Sequence, residues 1–251
     1  MQRAQQVLDP RERSIAGNLC ALAIMTKAPR AGQVKTRLVP PLTPEEAAEL
    51  NATFLRDLSM SILRACNMSP ARPVAVYTPQ GSEAEFENIL PDEFRLLPQR
   101  GKNFGDRLIC AADDLFAVGF ASVCLINSDS PSVPPQNFAE AAIELAEPAD
   151  RVVLGPADDG GYYLIGLKRM RRRLFEEIDW STERVFEQTT QRAAELGLRT
   201  HELASGLDVD DRASLASLSE QLLSNQSLPD IAPNTRKFLA ALAARKRFYR
   251  E

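Results

Sequence analysis

The sequence predicts an α/β fold around a mostly parallel sheet whose strands are covered on both faces. Several predicted strands are apolar without the alternation of a half-exposed strand, which is typical of parallel strands in the core. Helical periodicity lies between most of them. The predicted strands are residues 19–25, 73–78, 94–97, 121–126, 151–156, 162–167 and 198–203. The predicted helices are residues 43–65, 82–90, 105–118, 135–145, 181–196, a stretch from 211, and 235–248.

Size and composition favour one globular domain. The chain has 251 residues, 44% of them hydrophobic and 25% charged. We therefore expect a flexible N-terminal extension over residues 1–17 and a single domain over residues 18–251. A net charge of -4 argues against a dedicated nucleic-acid binder. The four cysteines show no CxxC spacing and no stretch is long and apolar enough for a membrane span, which predicts a cytoplasmic protein with reduced thiols.

The strand at 121–126 leads directly into a polar segment that contains one carboxylate. Asp129 follows the strand, with Ser130 and then Pro131 after it. In open α/β sheets, ligands bind beyond the carboxyl ends of the strands, so Asp129 is a candidate catalytic residue and Ser130 a candidate substrate contact. The alternative is that Asp129 only caps the next helix.

The loop after the first strand is rich in cations and is a candidate phosphate-binding loop. Backbone N–H groups and fixed cations commonly surround an anion at this position of an α/β unit. Neither a Walker A spacing nor a GxGxxG pattern is present. The alternative is a solvated basic loop. The candidate residues are Lys27, Gly32, Lys35, Thr36 and Arg37.

Two further loops carry candidate ligand contacts. Gly101 and Arg107 lie between the third strand and its helix, where the backbone could approach an anionic or planar ligand. A turn after the strand at 151–156 contains two carboxylates and two glycines, Asp158, Asp159, Gly160 and Gly161. An ordinary hairpin turn would explain Asp-Gly, but this strand should end at the same edge as Asp129.

Asp208 and Asp210 form a second acidic segment late in the chain. They are two residues apart, so in an extended segment both would project to the same side. Two adjacent carboxylates are costly to hold together unless a cation neutralises them. One of them could instead cap the following helix. The cationic run at residues 168–173 has a simpler interpretation as a solvated helix face.

These motifs together resemble the DUF2064 family of GT-A-type, nucleotide-diphospho-sugar-transferase-like proteins, some of which carry an arsenosugar-biosynthesis glycosyltransferase label. The resemblance implies a Rossmann-like GT-A fold, with a parallel-dominated mixed sheet, helices on both faces and nucleotide binding near the first loop. The segments that carry it are Lys27-Ala-Pro, residues 32–38, 128–131, 154–167, 180–182 and 208–210.

The chain departs from the related sugar transferases at their Asp-x-Asp metal motif, which here reads Asn127-Ser-Asp129. Metal affinity would then depend more on Asp208 and Asp210. The segment Lys-Thr-Arg-Leu at residues 35–38 is also similar to the triphosphate loop of nucleotidyltransferases such as phospholactate guanylyltransferase. That similarity implies a different reaction on the same fold.

Three functions follow as hypotheses. The first is a glycosyltransferase in which Asp129, Asp208 and Asp210 hold Mg²⁺ or Mn²⁺, while Asp159 orients the sugar of a nucleotide-sugar donor or acts as base toward an unknown small-molecule acceptor. Asp158, Gly160 and Gly161 would contact the substrate. The second is a nucleotidyltransferase that joins a nucleoside triphosphate to a phosphorylated small molecule with release of pyrophosphate. The third is a nucleotide-binding protein without catalysis.

Overall fold

Seven strands form one sheet in the order β3-β2-β1-β4-β6-β5-β7 in the computed structural model, which describes residues 5–15, 17–224, 228 and 230–245. Among the strands of the described residues, only β6 runs antiparallel to its neighbours, so the predicted parallel-dominated mixed sheet is confirmed. The strands are β1 Cys20–Lys27, β2 Ala71–Thr78, β3 Arg95–Pro98, β4 Ser122–Ile126, β5 Arg151–Pro156, β6 Tyr162–Leu167 and β7 Arg199–Glu202.

The main helices follow the predicted periodicity. They are α1 Pro44–Cys66, α2 Phe104–Ala117, α3 Pro135–Ala146, α4 Val185–Glu195, α5 Arg212–Leu223 and α6 Pro233–Ala244. Thr43 and Glu46 form the capping box expected at the start of α1, since each side chain accepts the other residue's backbone N–H. The helix expected from Ser181 begins only at Val185. The basic run at 168–173 lies in a turn and in the 3-10 helix Arg172–Phe175 instead of on an α-helix.

Helices cover both faces of the sheet because successive strand residues point to opposite sides. Leu22 and Ile24 pack with residues of α1 and α3 in one cluster. Ala21 and Ala23 pack with residues of α2 in the other. Side chains that alternate along β1 therefore fill two separate cores, as a buried parallel strand requires.

A third core cluster lies outside the sheet and holds two loops in place. Leu38 of the first loop, Phe54 of α1 and Val209 before α5 belong to it and are each 0% exposed. Leucines of α5 and α6 complete the cluster. Burial of these apolar side chains fixes the segments on which Lys35, Asp208 and Asp210 lie.

The N-terminal segment differs from the expected flexible extension where it is described. Val7 pairs with Leu96 of β3, and the backbone N–H of Leu8 donates to the Leu96 carbonyl at 2.8 Å. Leu8 is 3% exposed, so its burial attaches residues 5–8 to the sheet. Residues 1–4 and 16 lie outside the described part, and the division at residue 17 stays a prediction.

The four cysteines are free in the structure, and Cys20 and Cys124 are buried. Within the described residues, no helix combines the length and the apolar composition that crossing a membrane requires.

Candidate functional site

The carboxyl ends of three strands open onto one edge of the sheet. β1 is parallel to β4, and β5 is also parallel to β4 because β6 is antiparallel to both. The first loop, the Asp129 segment and the Asp158–Asp159 turn therefore leave the sheet in the same direction. This is the edge where α/β sheets bind ligands.

Three carboxylates meet at this edge. Asp129, Asp208 and Asp210 each place one carboxylate oxygen within 4.8 Å of the others. The backbone N–H of Val209 donates to the Asp129 carbonyl at 3.1 Å, and the Val209 side chain lies in the third core cluster. Val209 is buried, and the residues on either side of it face the site. Asp208 and Asp210 therefore both lie next to Asp129.

Lys35 neutralises this acidic cluster in part. Its Nζ lies 2.6 Å from Asp129 Oδ1 and 3.4 Å from Asp210 Oδ1, and donates to the Val209 carbonyl at 2.5 Å. The Lys35 side chain is only 4% exposed, and its Nζ lies 5.4 Å from the centre of the Phe54 ring. The first loop is therefore joined to the late acidic segment by a sequestered ammonium group.

One lysine carries too little positive charge to neutralise three carboxylates, and this affects the protonation of Asp208. Burial raises the pKa of Asp208 to about 8, with further contributions from Asp129 and Asp210. Its Oδ1 is buried and has no hydrogen-bond partner among the described residues. A divalent cation would supply the missing charge and ligand, so the oxygen donors of this cluster fit Mg²⁺ or Mn²⁺.

Two cavities meet at the acidic cluster. The first, of about 350 Å³, lies against the first loop and the start of α1 and α2. Its basic lining residues are Lys27, Lys35, Arg37 and Arg107, and its other lining residues include Thr36, Asn51 and Gln99. Gln99 is held by two hydrogen bonds from its Nε2 to the Thr26 and Val76 carbonyls.

The second cavity, of about 260 Å³, lies between α2, β6 and the loop before α4. Asp129 and Asp210 line both cavities, whereas Asp159 and Asp208 line only the second. Its other lining residues include Phe104, Leu108, Gly161, Tyr162, Tyr163, Trp180, Ser181 and Thr182. Among the described residues that line the second cavity, none is a lysine or an arginine.

The turn that carries Asp159 is locked against the loop before α4. Gly160 has a φ of +84°, and a Cβ there would lie 2.2 Å from the Glu183 carbonyl oxygen. The Phe186 N–H donates to the Gly160 carbonyl at 2.9 Å, and the Gly161 N–H donates to Asp159 Oδ1 at 2.9 Å. Gly160 thus shapes the turn, and the Asp159 carboxylate has a fixed orientation.

Most of the candidate residues line one of the cavities, and five do not. Ser130 is 1% exposed and points into the protein. Asp158 is exposed and binds Gly206 through its backbone N–H. Gly32 and Gly101 have positive φ angles and shape their loops, as Gly160 does.

Several lining residues have no separate sequence signal. Asn51 lies on an amphipathic helix, and Gln99 follows a strand. Polar residues at such positions are commonly exposed, so the sequence does not single out either one as a lining residue. Phe104 and Trp180 resemble core aromatics in the sequence. Trp180 belongs to the motif segment Trp180-Ser-Thr182, and this sequence signal could have identified it as a lining residue.

The proteins to which this chain is similar are consistent with the fold described above. Residues 62–182 match the family model described as "Uncharacterized protein conserved in bacteria (DUF2064)". No curated protein sequence matches the chain. A crystal structure from Desulfovibrio desulfuricans G20, described as a "putative nucleotide-diphospho-sugar transferase", is 27% identical with a TM-score of 0.81 and covers 93% of this chain and 99% of its own.

Two other structures are more distant. CMP:2-keto-3-deoxy-manno-octonic acid synthetase complexed with CTP is 13% identical, with a TM-score of 0.49, over 79% of this chain and 96% of its own. Rv0371c of Mycobacterium tuberculosis H37Rv in complex with manganese is 13% identical, with a TM-score of 0.46, over 80% of this chain and 98% of its own. Both are too distant to bear on the chemistry of this chain.

The closer likeness confirms the predicted Rossmann-like GT-A fold. The family match spans Asp129, the Asp158–Asp159 turn and Trp180, whereas Lys35 and Asp210 lie outside it. Residues 62–182 match the DUF2064 model, which confirms the resemblance predicted from the sequence motifs.

Proposed function

We propose that this protein is a divalent-metal-dependent glycosyltransferase that uses a nucleotide-sugar donor. The observation that carries the proposal is the distribution of charge along the two cavities: the basic side chains line only the first cavity, Asp159 and Asp208 line only the second, and Asp129 and Asp210 lie where the two meet. Four basic side chains, Lys27, Lys35, Arg37 and Arg107, line the first cavity. Four carboxylates, Asp129, Asp159, Asp208 and Asp210, line the second. A diphosphate suits the first cavity, and the group to be transferred suits the second.

The carboxylates favour glycosyl over nucleotidyl transfer. A sugar that leaves its diphosphate passes through an oxocarbenium-like transition state, whose positive charge nearby carboxylates stabilise. A nucleotidyl transfer would instead bring a phosphorylated acceptor against the same carboxylates. The 27% identity to the Desulfovibrio desulfuricans protein supports a nucleotide-sugar donor.

Each charged residue that lines the cavities then has a defined task. Asp129, Asp208 and Asp210 would hold Mg²⁺ or Mn²⁺, which when bound neutralises charge on the leaving diphosphate. Lys35 and Arg37 bind phosphate oxygens, assisted by Lys27 and Arg107. Asp159 lies across the second cavity, where its carboxylate accepts a hydrogen bond from a sugar hydroxyl or the proton of the attacking acceptor.

Release of a nucleoside diphosphate from a panel of nucleotide-sugars tests the proposal. We expect release with Mg²⁺ or Mn²⁺ and its loss in EDTA. Asp129→Asn and Asp210→Asn should each lower the metal-dependent rate at least about 100-fold while circular dichroism shows an unchanged fold. Asp113→Asn, at a surface ion pair with Arg172, is the matched control. Equal turnover with and without metal would contradict the proposal.

Nucleotidyl transfer is the second candidate, and one observation favours it. The four basic side chains of the first cavity carry enough positive charge to bind a triphosphate. Pyrophosphate release from nucleoside triphosphates with sugar phosphates would establish this reaction instead. Calorimetric binding of nucleotides without turnover of either substrate class would favour a nucleotide-binding protein without catalysis.

A further inference from the structure

Trp180 forms a fixed aromatic wall of the second cavity. Its ring meets Phe104 edge-to-face, with centroids 5.1 Å apart and an interplanar angle of 74°. Gly105 leaves room for the indole, since a Cβ there would lie 2.8 Å from Trp180 Nε1. The first turn of α2 therefore holds the indole while its side chain lines the cavity.

The loop that carries Trp180 is braced through Asp179. The Asp179 N–H donates to Gln188 Oε1 and Gln188 Nε2 donates to Asp179 Oδ2, both at 2.8 Å. Thr182 Oγ1 donates to the Asp179 carbonyl at 2.7 Å, and Arg184 pairs with the Asp179 carboxylate. Because Glu183 packs on Gly160, the same loop also fixes the turn of Asp159. The indole and this carboxylate are thus positioned relative to each other before a ligand binds.

The chemistry of this cavity selects the group that it accepts. A pyranose ring has a face of C–H groups, which can stack on an indole, and an edge of hydroxyls, which can donate to a carboxylate. The cavity of about 260 Å³ offers both Trp180 and Asp159. A sugar with its own carboxylate or phosphate would face the Asp159 carboxylate with no basic side chain among the described lining residues of this cavity.

We infer that the second cavity binds an uncharged sugar ring stacked on Trp180, so that the protein prefers neutral over anionic nucleotide-sugars. The inference rests on the proposed function, because the sugar enters as part of the donor whose diphosphate lies in the first cavity. It names the class of sugar and assigns Trp180 as the residue that binds its apolar face.

Trp180 is the only tryptophan, so intrinsic fluorescence reports on this wall directly. The probes are UDP, UDP-glucose and UDP-glucuronate, with GDP and GDP-mannose for a second base, all with Mg²⁺ and followed by calorimetry as well. In at least one base series, the neutral nucleotide-sugar should bind roughly tenfold tighter than its diphosphate and change the Trp180 emission. UDP-glucuronate should show no gain over UDP.

Two variants separate stacking from a general effect on the fold. Trp180→Ala should lose the roughly tenfold gain that the sugar gives, whereas affinity for the diphosphate alone should be unchanged. Trp180→Phe keeps an aromatic face and should retain most of the gain. Unfolding curves of both variants, compared with the wild type, verify that they fold.

The outcomes distinguish this inference from the proposal on which it rests. If diphosphate and nucleotide-sugar bind equally well and Trp180→Ala changes neither, stacking is contradicted while the nucleotide site stands. UDP-glucuronate binding as tightly as UDP-glucose would also overturn the inference. If no nucleotide or nucleotide-sugar binds to the wild-type protein, the proposed function fails and the inference with it.

Discussion

Two segments of this chain carry several cations each and have different surroundings. In the run at residues 168–173, Arg169 and Arg171 pair with Asp150, and Arg172 pairs with Asp113. Arg173 pairs with Glu177 and Glu195, and Lys168 donates to the Glu147 carbonyl. In the first loop, Lys27, Lys35 and Arg37 instead line a cavity.

The difference lies in what each cation neutralises. The arginines of the late run are partly exposed and balance nearby surface carboxylates, an arrangement that contributes little to stability. Lys35 is 4% exposed and pairs with Asp129 and Asp210, which lie far from it in sequence. A high density of cations therefore does not by itself indicate a binding site, whereas a cation held at the carboxyl end of a buried strand does.

Among the cations of the two segments, Lys35 should have the largest effect on stability and nucleotide binding when it is replaced by alanine. Without the ammonium, three neighbouring carboxylates lose their neutralising partner, which should cost about 3 kcal/mol and lower the Tm in EDTA by roughly 6–12 °C. Nucleoside diphosphate affinity should fall at least about 100-fold, since a sequestered phosphate contact is lost. Thermal unfolding and calorimetry measure the two effects.

Arg172→Ala is the matched control, since it removes an exposed cation from a single carboxylate. We expect its Tm to fall by less than about 2 °C. Saturating Mn²⁺ should restore much of the Tm of Lys35→Ala, because the cluster then binds the metal in place of the ammonium. A loss of stability in Lys35→Ala that metal does not restore, or an equal loss in both variants, would contradict the electrostatic account.

Asp208→Asn should change how the stability of the acidic cluster depends on pH. The pKa of Asp208 is about 8 in the folded protein, compared with an ordinary value of 3.8. The folded state therefore holds a proton that the unfolded chain releases, so stability is lost as pH rises from about 4 to 8. In EDTA, the Tm of Asp208→Asn relative to that of the wild type should rise by at least about 5 °C between pH 5 and pH 8. Asp113→Asn serves as the control, and parallel Tm curves for wild type and Asp208→Asn would contradict the prediction.

The sequence predicts the sheet and the acidic half of the site for clear physical reasons. A parallel strand buried on both faces needs an apolar run. Residues 19–25 are apolar throughout, and residues 121–126 contain Ser122 as their one polar residue. Because such strands end at one edge, the polar groups after them converge. The two-residue spacing of Asp208 and Asp210 likewise predicts that both project to the same side, and in the structure both lie close to Asp129.

The remaining parts of the site depend on packing between distant segments. Nothing near Lys35 in the sequence indicates that Val209 and Phe54 share a core cluster with its loop, which is what brings the ammonium to the aspartates. Trp180 lines a cavity only because Gly105 leaves space for its indole. Ser130 was expected near the substrate, yet the turn before α3 buries it. Contacts of this kind have no local pattern.

The smallest expected effect concerns one exposed arginine from each segment. Arg37 is 70% exposed and lies 3.8 Å from Asp210, and Arg169 is 64% exposed and lies 3.3 Å from Asp150. Arg37→Ala should weaken nucleoside diphosphate binding about fivefold, and more at low ionic strength, because an exposed phosphate contact is screened by salt. Arg169→Ala should leave affinity unchanged, and neither variant should shift the Tm of the free protein by more than about 2 °C. Calorimetry at two salt concentrations measures both affinities. Equal weakening by the two variants would mean that the protein attracts nucleotides through its general field, whereas loss in Arg37→Ala alone would assign phosphate binding to the first loop.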